Sequence, residues 1–188
     1  MDKFIKLTFV FILYVLSFML QSIFVLDYGQ QWVVLLFHLG LLGLLDYVLD
    51  LEFKEALITV LIIGLILDVF SYGYLFLNTL SYGLAFMVIL SLASQINDTK
   101  TERLFLGIVA IFIFELIKYL LLRILGISGL SIFNWLTKRI ILTLLVHIPL
   151  GYFVLLIVKF KNQILMSRNQ ELIRAEASFY RRQQTEKK

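Results

Sequence analysis

Five ionisable side chains fall within long apolar stretches: Asp46, Asp68, Glu115, Lys118 and His147. A charge at the centre of a bilayer costs about 2.5–3.5 kcal/mol on insertion scales, so each needs a partner or a chemical task. Glu115 and Lys118 stand three residues apart, share one helical face and are expected to pair. Such a pair acts as glue facing the inside of a bundle, with a proton relay as the alternative chemistry. His147 is expected to be a packed imidazole bonded to a backbone carbonyl. The other histidine, His38, falls on a different apolar stretch, so no histidine pair stands at metal-ligand spacing.

Nucleophilic chemistry has one candidate. Gly126-Ile127-Ser128-Gly129, with His147 further on, is similar to the G-x-S-G serine and later histidine of rhomboid intramembrane proteases. That mechanism needs the serine inside the membrane, at a helix start and within reach of the imidazole. Ser128 is expected in a loop and His147 about two turns into the next helix, so a flexible loop is the simpler reading. Phosphate-loop, dinucleotide and zinc-protease motifs are missing from the sequence, as is the paired-aspartate pattern of phospholipid headgroup transferases. Without cysteine there is no disulfide framework, thiolate metal site or cysteine nucleophile. The chain does not read as an enzyme, and no cofactor or metal is expected. Asn97-Asp98-Thr99 matches a glycosylation sequon, inert on the cytoplasmic side where it is expected.

The elements that must carry these residues follow from composition. Of 188 residues, 61% are hydrophobic and 16% charged, with a mean hydropathy of +0.93. A soluble domain holds about 45–50% apolar residues, and a fold of this size cannot hide such an excess in its core. The expected fold class is an all-α integral membrane protein, a six-transmembrane-helix bundle over residues 1–160 with a basic cytoplasmic tail at 161–188. On a ruler of about 20 apolar residues per crossing, the spans are 4–26, 32–49, 56–70, 75–96, 103–125 and 139–158. The first is too long for a signal-peptide core and is expected to be retained. Residues 126–137 read as a loop. Gly40, Gly43, Gly64, Gly83, Ala85, Gly107 and Gly151 are the expected points of close helix approach.

Charge sets the orientation. From Lys159 onward there are eight Lys/Arg and three Glu, whereas the rest of the chain has nine positive and ten negative side chains. The basicity belongs to the tail, which argues for a membrane-surface or cytoplasmic role and against nucleic-acid binding. One side of a six-span bundle collects Lys3, Lys6, Lys54, Lys100, Arg103 and the tail, which places both termini in the cytoplasm. Leu165, Leu172 and Phe179 recur every seven residues, but Arg168 and Arg182 lie between, so the tail reads as a surface-lying or solvated basic helix beside anionic lipid.

The stretch from Gly64 to Gly83 is the most specific. An apolar helix ends in Asp68, the chain turns through Ser71-Tyr72-Gly73-Tyr74, and a new helix opens around Asn78. Gly73 suits the left-handed backbone of a tight turn. Asn78 is placed to satisfy freed backbone groups or Asp68 across the hairpin. Gly64, Leu65, Asp68, Ser71, Gly73, Leu77 and Asn78 resemble the signature hairpin of the MreD family of rod shape-determining membrane proteins. Span number, chain length and a last helix of the Ile-Leu-Thr-Leu-Leu type at 141–145 agree. The departures are Gln30-Gln31-Trp32 and Leu142, where the family often has proline, and a longer tail.

The resemblance implies a non-catalytic subunit of the cell-wall elongation complex that pairs with MreC and works alongside MreB, RodA and a penicillin-binding transpeptidase. Its structural and interaction residues would be Gly64, Asp68, Ser71, Gly73, Asn78, Glu115 and Lys118. The family also resembles the S-components of energy-coupling-factor transporters. A small-molecule or vitamin-binding S-component is therefore the alternative, with Asp68, Asn78, Glu115, Arg123 and Lys138 as groups that could converge on a pocket. Against it, the first helix lacks the A-x-x-x-A docking pattern of that class.

Overall fold

The computed structural model describes residues 2–23, 36–70, 76–93 and 99–186, and all regular structure among them is helical. The elements are α1 (Asp2–Ile23), α2 (Leu39–Val48), α3 (Phe53–Phe70), α4 (Leu77–Ala93), α5 (Lys100–Ile124), α6 (Ile132–Trp135), a π-helical turn (Leu136–Ile140) and α7 (Ile141–Glu186). Because α6, the π turn and α7 run on without a break, they form one sixth rod. Lys3–Ser22, Thr101–Ile124 and Ile132–Gln170 are long and apolar enough to cross a membrane. α3 has 18 residues but carries Lys54, Glu55 and Asp68.

The short helix α2 lies at the centre. Every residue from Leu39 to Val48 except Asp46 is buried, the signature of a helix enclosed on all sides. Gly40 and Gly43 give up their side-chain volume to the ring of Tyr14 and to Leu13, both on α1. α3 packs along α4, α1 along α2, and α5 between α4 and α7. Ala56, Val60, Gly64 and Asp68 form the buried edge of α3, a four-residue repeat suited to helix-on-helix ridges. At Gly64 the approach is closest to backbone: a Cβ there would lie 2.7 Å from the Cα of Thr79.

The sixth rod corrects the expected start of the last span. It begins at Ile132, not 139, because Ser131 caps it by accepting from the Asn134 N–H; the interhelical loop is correspondingly shorter. Its buried residues then step from Trp135 to Ile140, Thr143, His147, Gly151, Val154, Val158 and Lys161. After Ile140 the steps are three or four residues, as an α-helical seam requires. The first step is five, because the π turn inserts a residue and keeps Trp135 and Ile140 on one face. The helix also continues to Glu186, and its buried seam reaches Lys161, one residue beyond the expected boundary at 160. The tail is thus a helix, continuous with the sixth rod.

Lys161 is buried because of what it meets. Its Nζ lies 2.5 Å from Oδ2 of Asp46, whose Oδ1 accepts from Arg103 at 2.9 Å, so one carboxylate ties α2, α5 and α7. At the same end Lys6 bridges to Asp50 and Lys3 to Glu55. Within the expected spans at 32–49 and 75–96 the described helix covers Leu39–Val48 and Leu77–Ala93, and residues 32–35, 75 and 94–96 lie outside the described residues. Large apolar side chains, Phe4, Phe11, Phe18, Val69 and Leu156 among them, are left exposed outside.

Gly64→Ala is expected to destabilise the purified protein by about 1–3 kcal/mol through overpacking against α4 backbone, while Gly129→Ala, with open space around it, leaves thermal melting in detergent unchanged. Chains ended after Ser167 should melt as the full protein does. Ending at Phe160, which removes Lys161 and leaves the Asp46 side of the pin incomplete, should lower the melting temperature; equal melting of the two truncations would refute the role given to Lys161.

Candidate functional site

Two helices begin inside the bundle, and an α-helix start leaves N–H groups with no partner of their own. Neighbouring helices supply the missing acceptors. Asp68, at the end of α3, accepts from the backbone N–H of Asn78 (2.8 Å) and Thr79 (2.9 Å) and from the Thr79 hydroxyl (2.6 Å). Its negative charge also faces the positive end of the α4 dipole. For α2, Ser17 of α1 accepts from the Gly40 N–H at 3.0 Å, and His147 of α7 accepts from the His38 N–H at 2.8 Å. Gln21 does the same for the Phe37 N–H, just ahead of the helix.

These contacts set the remaining polar groups. Since His147 Nε2 accepts from His38, its proton is on Nδ1, which donates to the Thr143 carbonyl at 2.6 Å. Both ring nitrogens are thereby engaged, and neither is available to activate Ser128. Asn78 presents its side-chain oxygen to the Lys118 ammonium at 3.0 Å. Glu115 is fully buried; Arg139 reaches one carboxylate oxygen at 2.9 Å, and His38 Nε2 stands 3.1 Å from the other without hydrogen-bond alignment. Tyr14 and Tyr82 join hydroxyl to hydroxyl at 3.1 Å.

The expected Glu115–Lys118 pair is therefore not formed. Helical spacing permits it, but each side chain turns to a partner on another helix: Glu115 to the π-turn segment and α2, Lys118 to α4. Gly64, Asp68, Asn78, Glu115 and Lys118 do gather at one end of the bundle. Ser71 and Gly73 lie outside the described residues; Phe76, directly before α4, takes a positive φ of 66°. Arg123 turns away to the Tyr119 hydroxyl and the Leu130 carbonyl, so it does not join the convergence envisaged for a pocket. Sequence reasoning missed His38 and Arg139, because nothing in one chain's spacing links residues 38, 115 and 139. Tyr14, Ser17 and Gln21 were missed as well, although steps of three and four place these polar groups on one face of the apolar part of α1.

Between α1, α2, α3, α4 and α5 lies a cavity of about 270 Å³. Asn78, Tyr82, His38, Glu115 and Lys118 line its polar side, and Phe18, Phe37, Phe70 and Phe114 much of the rest. No group of three or more metal-binding side chains forms among the described residues. Comparison with protein-family models, curated proteins and solved structures yields no match.

Glu115→Gln leaves Arg139 without a counter-charge and is expected to cost about 3 kcal/mol, the low end for a broken buried pair because Arg139 keeps some solvent access. Glu115→Leu combined with Arg139→Leu should recover most of that loss. A double variant as unstable as the sum of its single changes would show that the two charges do not act as a pair.

Proposed function

We propose that this chain is a non-catalytic, multi-pass subunit of the bacterial cell membrane that belongs to the cell-wall elongation machinery and pairs with a bitopic protein of the MreC type. The observation that carries the proposal is the joint between α3 and α4. Gly64, Asp68 and Asn78, three residues of the MreD-like hairpin, meet there: Gly64 admits the α4 backbone, Asp68 caps that helix and Asn78 fixes Lys118. An acid bonded to three donors acts as a fastener, which suits a scaffold. Three helices of crossing length and an exterior rich in Phe, Leu and Ile support a bilayer setting. The basic tail and the Lys/Arg of the N-terminal end support cytoplasmic termini. In this reading the bundle presents a lipid-facing helix surface to the partner's single span, and MreB, RodA and the transpeptidase join through that pair.

Expressed in its host with a tagged MreC-type protein and extracted in mild detergent, the chain is expected to co-purify with it, and its depletion should turn rods into spheres. Asp68→Ala should reduce both co-purification and thermal stability, while Ser128→Ala changes neither. Normal shape after complete depletion, or no recovery of the partner from cells that contain both, would defeat the proposal.

A further inference from the structure

We propose that the 270 Å³ cavity is a binding site for a small aromatic carboxylate, with Lys118 as its anion-recognising group. This is a ligand-binding role that does not rest on the scaffold reading.

Of the two cations around the cavity, Arg139 and Lys118, only Arg139 makes a direct ion pair among the described residues. Glu115 is met by Arg139 and His38, and Asp68 by the first N–H groups of α4 and the Thr79 hydroxyl. Lys118 has a neutral partner instead, the Asn78 amide oxygen, and no carboxylate lies within ion-pair distance of it among the described residues. An ammonium has three donors; one goes to Asn78, and two are left at a partly buried position on the cavity wall. Unfilled ammonium donors in such surroundings are costly, and a bound anion fills them.

Size and lining set the rest of the ligand. An apolar cavity of about 150 Å³ accommodates benzene, so this one has room for a ring and an acidic side arm. Phe37 and Phe114 supply buried aromatic walls, and the largely exposed Phe18 and Phe70 complete the lining. The Lys118 ammonium also stands 5.6 Å from the centre of the Phe114 ring, which places the cationic and aromatic contacts side by side. A carboxylate on Lys118 would thus carry its ring against phenylalanine. Phosphorylated or multiply charged ligands are disfavoured, because Glu115 lies on the same wall and a single cation is on offer.

The full-length protein in nonionic-detergent micelles provides the test, with protein-free micelles as the blank. Benzoate, phenylacetate and indole-3-acetate are titrated by equilibrium dialysis beside the neutral 2-phenylethanol. At least one carboxylate is expected to bind saturably and about tenfold or more tighter than the alcohol, a difference of about 1.4 kcal/mol. Lys118→Gln, which keeps a donor for Asn78, should remove that preference while leaving alcohol binding in place. Lys118→Arg should retain it, and Leu67→Trp, which fills the cavity, should abolish both. Absence of saturable binding by all three carboxylates, or a preference unchanged in Lys118→Gln, would overturn the proposal. If Lys118→Gln does not fold, the Leu67→Trp result decides: carboxylate binding that survives there is not in this cavity.

Discussion

A helix that starts inside a bundle must find acceptors for its first N–H groups, and here neighbouring helices provide them. α2 and α4 both start this way, and both borrow acceptors from other helices. Asp68 serves α4 from α3; Ser17 and His147 serve α2 from α1 and α7. Each borrowed cap is a backbone requirement and a tertiary contact at once, so helix formation and helix assembly cannot be separated. The close approach at Gly64 follows from the same constraint, since Asp68 reaches the start of α4 when the two backbones lie nearly in contact.

The polar contacts gather at two ends, with α2 buried between them. At one end Asp46, Asp50 and Glu55 meet lysines and an arginine from α1, α5 and α7. At the other, Asp68, Asn78, Lys118, Glu115, His38 and Arg139 connect α2, α3, α4, α5 and the π turn. Between similar apolar helices, dispersion and hydrophobicity discriminate poorly among partners and registers. Directional polar bonds and small-residue contacts provide the discrimination. The π turn belongs to this scheme: its extra residue preserves the buried face across residues 135–140 while Arg139 meets Glu115.

The cavity lies at the start of α2, the shortest of the helices that bound it. Ten residues of helix rise about 15 Å, against about 33 Å for the 22 residues of α1. Leu36, Phe37 and His38, just ahead of α2, line the cavity together with side chains of α1, α3, α4 and α5. One short buried helix capped by its neighbours and a chamber with polar lining thus stand side by side.

From its own residues the sequence determined an all-helical chain, the number of its apolar segments, the charge asymmetry between its ends and the polar joint around Asp68 and Asn78. Those are local or compositional properties: hydrophobic run length, a helix-ending acid and an asparagine in the next first turn are visible without knowing what lies nearby. It misjudged the start of the sixth rod, because a single Ser131 cap and a π turn leave little mark on a hydropathy pattern. Only the tertiary structure decided that Glu115 answers to Arg139 and His38 instead of Lys118, that Lys161 belongs to the bundle, and that a cavity lies at the start of α2. Each of those depends on groups far apart in the chain, and an ionic side chain several bonds long takes whichever opposite charge or dipole the packed backbone brings within reach.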